Sequence, residues 1–194
     1  VDRIEIIRGA SSLQYGPKFG GLMNFILRKP DLSTKLVVES QNTTGNNGLF
    51  SSFNYVGGTS GRLSYTAYYQ KRQGNGWRQN SKFNTDHTHG EISYAISNKL
   101  KVGAQLTYMQ AESQQAGGLT DVEFGQNSQQ SKRSRNWFST PWFIYALTAD
   151  YVINTNSKLS MKYFGTTAER NSVGFMRAIT EVDPKGNRQV DRDL

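Results

Sequence analysis

The sequence predicts an all-β fold: a transmembrane antiparallel β-barrel, of which this chain holds about seven strands. Three observations predict it. Apolar and polar residues alternate with a period of two along short segments, as they do in strands with one apolar and one polar face. Short and long connections between these segments also alternate along the chain. Aromatic residues make up 12% of the chain and include a cluster beside one predicted strand, as in the aromatic girdles of membrane barrels.

The alternation is clearest over residues 100–108, where every second residue is apolar and the residues between are polar or glycine. The apolar set there is Leu100, Val102, Ala104, Leu106 and Tyr108. The same pattern recurs over 63–69, 92–96, 143–153 and 159–163, and weaker copies run through 35–43 and 49–57. The sequence therefore predicts seven antiparallel strands between residues 35 and 171.

The connections between these strands favour a membrane barrel over a soluble sandwich. Tight turns are predicted at 58–61, 97–99 and 154–157, and longer connections at 44–48, 74–82, 112–140 and 172–194. A soluble sandwich rarely contains an irregular loop as long as 112–140. A transmembrane barrel has short periplasmic turns at one end and long loops at the other. Its polar inner face and loops also account for the mean hydropathy of −0.64.

Aromatic residues surround the strand predicted at 143–153, namely Trp137, Phe138, Trp142, Phe143 and Tyr145 near its start and Tyr151 near its other end. These positions are typical of the two girdles of a membrane barrel. Bacterial membrane barrels close with an even number of strands, so we expect further strands beyond Leu194. Val1 is not a start residue, and we expect the natural N-terminus to lie upstream.

Composition excludes several classes of protein. The hydrophobic fraction is 36% and the longest apolar runs are about six residues, which is too short for a transmembrane helix. The chain contains no cysteine, which excludes a disulfide framework and thiolate metal sites. The glycines of "RGASSLQYGPKFGGLMN" at 8–24 match neither phosphate-binding loop pattern, and no helix-forming segment follows them.

The first thirty residues, "VDRIEIIRGASSLQYGPKFGGLMNFILRKP", resemble the end of the plug domain of TonB-dependent outer-membrane receptors. In that family, a strand of the type I-E-x-(I/V)-x-x-R-G leads into a Y-G loop and then G-G-x-x-N-(I/F)-(I/V). The matching residues are Ile4, Glu5, Ile7, Arg8, Gly9, Tyr15, Gly16, Gly20, Gly21, Asn24, Phe25 and Ile26. The resemblance implies that 1–30 are the C-terminal part of a plug domain. It also implies that 31–194 are the N-terminal part of a plugged barrel of about twenty-two strands.

The family resemblance also implies a function. It implies import of a ferric chelate across the outer membrane of a Gram-negative bacterium, driven by the TonB complex through a segment absent from this chain. The segment 117–138, "GGLTDVEFGQNSQQSKRSRNWF", is similar to a loop of ferric-citrate-type receptors, which favours ferric citrate or a related siderophore. No cofactor is expected, since iron would enter only within the chelate. Import of haem, cobalamin or an oligosaccharide, and a structural, adhesive or porin role, stay open as alternatives.

Five residues are candidates for binding an anionic chelate. Gln14, Tyr15 and Lys18 are expected to form the floor of the site at the apex of the plug. Arg133 and Arg135, in the long loop, are expected to close over it, because guanidinium groups form charge-assisted hydrogen bonds to carboxylates. The alternative is a solvated basic loop that contacts lipopolysaccharide. Relatives of the ferric-citrate type can carry a basic residue where Gln14 stands, so either Lys18 substitutes or the ligand differs.

Glu5 and Arg8 are predicted to contact the barrel. In the family, charges at these positions bond to charged residues of the lumen, and a buried charge requires a partner. The alternative is a solvated strand end. Glu5 lies among Ile4, Ile6 and Ile7, which favours burial.

Other patterns favour no catalytic or metal chemistry. His87 and His89 fall on the same face of a predicted strand, but without a third ligand a polar lumen position is favoured over a metal pair. Asp121 and Glu123 are close in sequence, yet nothing near them is expected to raise a carboxyl pKa for acid catalysis. The basic run at 132–135 adds to a net charge of +8, but its place in an outer loop favours no nucleic-acid partner. The sequence therefore predicts a receptor rather than an enzyme.

Overall fold

The fold is a large antiparallel sheet preceded by a small hairpin. The structure, a computed structural model, describes residues 1–9, 20–175, 177–181, 183 and 190–193. The candidate floor residues Gln14, Tyr15 and Lys18 lie outside these ranges. In the ranges described, no helix is long and apolar enough to cross a membrane.

The predicted plug segment contains a two-stranded antiparallel sheet. Its strands are β1 (Arg3–Ile7) and β2 (Leu22–Ile26), with Glu5 opposite Asn24. At the return of the chain, Gly21 has a φ of 109°, and a Cβ there would meet the carbonyl oxygen of Ile7 at 2.6 Å. Only glycine fits this position without strain, which accounts for one of the two glycines at 20–21.

The large sheet is antiparallel throughout, and its first seven strands are neighbours in chain order. They are β3 (Val37–Gly45), β4 (Leu49–Ser60), β5 (Leu63–Gly74), β6 (Phe83–Ala95), β7 (Leu100–Gln114), β8 (Trp137–Asn154) and β9 (Ser157–Ala168). Two short strands follow, β10 (Arg170–Val173), which also pairs with β8, and β11 (Val190–Asp193), which pairs with β10. The prediction of seven antiparallel strands between 35 and 171 is confirmed.

The register aligns the predicted apolar residues into one band. Tyr65 lies opposite Ile92, Ile92 opposite Ala104, Ala104 opposite Leu147, and Leu147 opposite Tyr163. Ile92, Leu147 and Tyr163 are each more than half exposed. We call this the apolar face. An exposed apolar surface that spans five strands requires an apolar environment or a partner.

The opposite face is mainly polar over the central strands. One row across it contains Thr66, Glu91 and Gln105. Few apolar side chains are buried among the described residues: Tyr55, Ala116, Ala146 and Phe175. Because the apolar side chains are exposed and no second sheet packs on them among the described residues, these strands do not form the interior of a sandwich. The fold is a partial β-barrel, as the alternation predicted.

The two long connections of the described sheet, 75–82 and 115–136, lie at the same end. The turns at 61–62, 96–99 and 155–156 are tight and lie at one end, which we call the turn end. The connections at 46–48, 75–82 and 115–136 lie at the other end, as does the segment after β10, which we call the loop end. In the shortest loop-end connection, Asn47 and Gly48 have φ angles of 56° and 67°, which is the left-handed backbone of an Asn-Gly hairpin turn.

Candidate functional site

The connections at the loop end are joined into one hydrogen-bonded unit, which we call the loop cluster (46–48, 75–82, 115–136 and the described residues of 174–183). The backbone N–H of Asn75 donates to the carbonyl of Asn47 at 2.8 Å. The N–H of Gln79 donates to the carbonyl of Gln129 at 3.0 Å. These bonds link the second connection to the first and to the third.

Arg78 binds the long connection through its guanidinium group. Its Nε and Nη2 donate to the carbonyl of Gln130 at 3.2 and 2.8 Å, and its Nη1 donates to the carbonyl of Gly117 at 2.9 Å. The Nδ2 of Asn80 lies within hydrogen-bonding distance of the carbonyls of Gln115 and Arg133. Main-chain carbonyls 35 to 53 residues away in sequence therefore hold the 75–82 connection in place.

Arg133 joins the long connection to the segment after β10. Its side chain is buried, with the residue only 4% exposed. Its Nη1 donates to the carbonyl of Glu181 at 3.0 Å, and its Nη2 donates to the carbonyls of Arg177 and Ala178 at 3.1 and 2.9 Å. The guanidinium carbon lies 4.8 Å from the ring centroid of Phe175. In this structure Arg133 holds two loops together, and its role in ligand binding stays a prediction.

The neighbouring cations of the "KRSR" run also have partners within the loop cluster. Arg135 Nη2 lies 2.8 Å from Oδ1 of Asp183, which is largely buried. Lys132 Nζ lies 2.6 Å from Oε1 of Glu123 and donates to the carbonyl of Ile179 at 2.6 Å. The run is thus tied into the loop cluster. Binding of a ligand by Arg135, like that by Arg133, stays a prediction.

A short helix, α1 (Asp121–Gln126), interrupts the long connection, which the sequence had predicted to be irregular. The helix begins with a capping box. The Oγ1 of Thr120 accepts a hydrogen bond from the N–H of Glu123, and Oε2 of Glu123 accepts one from the N–H of Thr120 at 2.9 Å. The pattern Thr-x-x-Glu at 120–123 was the sequence signal for this helix start.

The carboxylate of Glu123 should stay ionised well below neutral pH. Hydrogen bonds from Lys132 and then from Thr120 lower its pKa from an ordinary value of 4.5 to about 2. Because the pKa of this carboxyl is lower in the folded state than in the unfolded state, its ionised form stabilises the fold at pH values above the unfolded-state pKa. That stabilisation is lost as the pH falls toward the folded-state pKa. We expect the amide protection of α1 to be constant from pH 7 to 5 and to fall between about 4.5 and 2.

Hydrogen exchange of the α1 amides and NMR titration of the Glu123 carboxyl, both on the intact protein, would measure this effect. The variant Glu123→Gln cannot ionise, so its α1 protection should be weaker at pH 7 and nearly independent of pH. A titration midpoint near 4.5 in the wild type would contradict the prediction.

Glu5 and Arg8, which were predicted to contact the barrel, differ from each other in their surroundings. Glu5 accepts hydrogen bonds from Arg3 Nε at 3.0 Å and Asn24 Nδ2 at 3.1 Å, both within the hairpin. Arg8 follows β1 and is exposed. Contact of Glu5 and Arg8 with the lumen of a barrel stays a prediction.

Arg28 makes a contact to the large sheet that sequence reasoning did not single out. Its Nη2 lies 2.9 Å from Oε1 of Glu39 on β3, and its guanidinium carbon lies 4.4 Å from the ring centroid of Tyr55 on β4. Arg28 lies two residues after β2, and no sequence pattern marked its partners. This arginine joins the end of the predicted plug segment to the polar face of the large sheet.

His87 and His89 both point to the polar face of β6, as predicted. The ring of Tyr68 lies between them, with centroids 5.2 Å from His87 and 5.1 Å from His89. His89 is buried, and its Nδ1 lies 2.7 Å from the hydroxyl oxygen of Thr107. Among the described residues, no group of three or more metal-binding side chains occurs. A lumen position for this pair stays a prediction.

A basic cavity of about 300 Å³ opens within the loop cluster. Its walls include the buried Arg133 and the exposed Arg170 and Arg177. The guanidinium carbon of Arg170 lies 5.8 Å from the ring centroid of Phe138, which sits beside the cavity. Sequence reasoning missed Arg170 and Arg177, since neither lies in a motif or a charge run. The cavity offers cationic donors for an anionic ligand.

No model of a known protein family matches the chain. The fold is shared with a solved structure, the crystal structure of the ferric citrate transporter FecA in the unliganded form, with a TM-score of 0.74 and 22% sequence identity. The likeness covers 90% of this chain and 27% of the other, so the chain spans about a quarter of the length of the structure it matches. The chain therefore has the fold of part of that structure, a partial β-barrel, as the alternation of apolar and polar residues led us to expect.

Proposed function

We propose that this chain is part of a TonB-dependent outer-membrane receptor that imports a ferric chelate, ferric citrate or a related carboxylate siderophore, into the periplasm. The observation that carries the proposal is the likeness in fold to a ferric citrate transporter over 90% of the chain. The basic cavity in the loop cluster supports it, because such a chelate is anionic and arginines bind carboxylates through charge-assisted hydrogen bonds.

The proposed location is the outer membrane of a Gram-negative bacterium. The apolar face would contact lipid and the polar face would line the lumen, which the plug segment partly fills. The turn end would face the periplasm and the loop cluster the outside, where it would meet lipopolysaccharide, since membrane barrels place their long loops outside. The TonB complex would act on a segment absent from this chain.

In the proposed site, the chelate sits between the plug and the loop cluster. Gln14, Tyr15 and Lys18 form its floor. Arg135 turns from Asp183 to a carboxylate of the ligand, which exchanges one charged partner for another. Arg133 would have to leave three carbonyls to do the same, so its direct contribution would require movement of the segment 177–181. Arg170 is exposed and lies at the cavity, and among the side chains that the structure describes it contacts the ring of Phe138.

Titration of the intact receptor with ferric citrate tests these roles. We expect Arg135→Gln and Arg170→Gln each to weaken binding about tenfold, because each removes a charged hydrogen bond of about 1.5–3 kcal/mol. The control is Lys158→Gln at the turn end, where Lys158 pairs with Asp150 at 3.0 Å. This control should leave the dissociation constant unchanged. Unchanged binding in both arginine variants would make these side chains structural only.

Growth of a deletion strain on single nutrients tests the substrate class. We expect loss of growth on ferric citrate or a related chelate as the only iron source, and recovery when the gene is restored. Normal uptake of every ferric chelate would contradict iron import. A growth defect on haem, cobalamin or an oligosaccharide would indicate import of that nutrient instead. The absence of any uptake defect would favour a structural or adhesive role.

A further inference from the structure

The apolar face contains a groove near the turn end. Its volume is about 410 Å³, and it crosses four strands, β5 to β8. The outward side chains around it are Leu63, Ile92, Tyr94, Val102, Ala104 and Leu147. The groove is distinct from the loop cluster, which lies at the other end of the sheet.

The groove results from a small side chain flanked by two larger ones. Ala104 lies directly between Ile92 on one neighbouring strand and Leu147 on the other. Both of these larger side chains are 56% exposed and stand above the small alanine. Apart from the tyrosine hydroxyl, the outward side chains around the depression are hydrocarbon or aromatic. Such a channel fits an extended hydrocarbon chain better than it fits a polar ligand.

Two cations lie at the turn end, in the tight turns that adjoin the groove-lining strands β5, β6 and β7. Arg62, directly before Leu63, donates from Nη1 to the carbonyl of Ile96 at 3.2 Å, which draws its guanidinium toward the neighbouring turn. That turn carries Lys99, and Ser97 Oγ fixes its shape by accepting from the N–H of Lys99 at 3.2 Å. Both cationic side chains are exposed. In the part of the chain that the structure describes, neither forms an ion pair, whereas Lys158 at another tight turn pairs with Asp150.

We propose that the groove, Arg62 and Lys99 together bind an anionic glycerophospholipid. One acyl chain lies in the groove, and the phosphate accepts hydrogen bonds from the two cations. The inference rests on the proposed membrane location. With the turn end toward the periplasm, the site faces the inner leaflet of the outer membrane, so a phospholipid and not lipopolysaccharide is the occupant. The combination of a hydrocarbon channel and two cations in the adjoining tight turns matches the two parts of such a lipid.

Native mass spectrometry of the intact protein in detergent tests this site with phosphatidylglycerol and phosphatidylcholine of identical acyl chains. We expect tighter binding of phosphatidylglycerol. Arg62→Gln and Lys99→Gln should each weaken it about fivefold, and the double variant about 25-fold, since each cation near an anionic lipid contributes a factor of this order. Ala104→Phe should fill the groove and weaken both lipids. Lys158→Gln is the matched control at the same end and should change neither affinity.

The remaining outcomes separate this site from the proposed function. Glycerophosphate, which lacks acyl chains, should not compete with phosphatidylglycerol; full competition would contradict occupation of the groove. Equal affinity for both lipids in the wild type and in all variants would overturn the lipid site and leave chelate import standing. A protein that stays in solution without detergent and binds neither lipid would contradict the membrane location itself. Circular dichroism of each variant checks that the strands are intact.

Discussion

Replacing Leu106 with arginine should destabilise the protein in a lipid bilayer by about 2–4 kcal/mol, the cost of a cation facing lipid near the bilayer midplane. Leu106 lies in the middle of β7 on the apolar face and is 47% exposed. Its neighbours across the strands are Gly90 and Tyr145, neither of which offers an anionic partner. An arginine there would have to reach the bilayer surface or remain unpaired in hydrocarbon.

Gln105→Arg is the matched control, one residue away on the polar face. Because successive side chains of a strand point to opposite faces, the same arginine would enter the polar side, next to Glu91 on β6. We expect a change below about 1 kcal/mol there. The measurement is reversible unfolding of the intact protein in lipid vesicles by guanidinium chloride. Equal destabilisation by the two variants would contradict the assignment of the apolar face to lipid.

Replacing Arg133 with methionine should weaken the loop cluster by about 3 kcal/mol. Methionine keeps much of the side-chain volume but removes three hydrogen bonds that the buried, charged guanidinium donates. The contact with the ring of Phe175 would lose its cationic component as well. Because the described contacts of the Arg133 side chain are all with segments of the loop cluster, the effect should be confined to the loop end and leave strand protection unchanged.

Hydrogen exchange of amides in 115–136 and 174–181 would measure this loss. Arg177→Met is the control: that side chain is exposed, and its carbonyl, which Arg133 binds, is retained. The control should change protection by less than about 0.5 kcal/mol. Unchanged loop protection in Arg133→Met would show that the buried guanidinium is dispensable. Unchanged protection together with weaker chelate binding would assign Arg133 directly to the ligand.

The loop cluster gives these predictions a shared physical basis. Arg78, Asn80 and Arg133 each bind carbonyls of another connection, so three polar side chains hold the connections at the loop end together. A ligand that draws one connection inward would therefore act on its neighbours too. The variants of Arg133 and Arg135 separate the loss of loop anchoring from the loss of ligand binding. Arg133 binds main-chain carbonyls, whereas Arg135 binds the carboxylate of Asp183.

Strand positions and faces were readable from the sequence because a strand exposes alternate residues to two different surroundings. The alternation at 100–108 predicted which side chains of β7 share the apolar face, and the register confirms it. Strand ends were harder to predict. β6 begins at Phe83, well before the alternation at 92–96, because backbone hydrogen bonds continue the ladder through polar residues such as His87. The ladder needs no apolar side chain, so no pattern marked its start.

The sequence by itself determined seven of the nine described strands of the large sheet, the apolar face and the position of the long connections, all of which follow from local alternation and turn composition. The tertiary structure decided the partners of the charged residues. Arg133 binds carbonyls 44 to 48 residues away, and Arg78 binds one 52 residues away. Every residue has a carbonyl, so no sequence pattern can identify which one an arginine will bind. The register of the strands places the loops side by side and so determines which carbonyl lies within reach of each arginine.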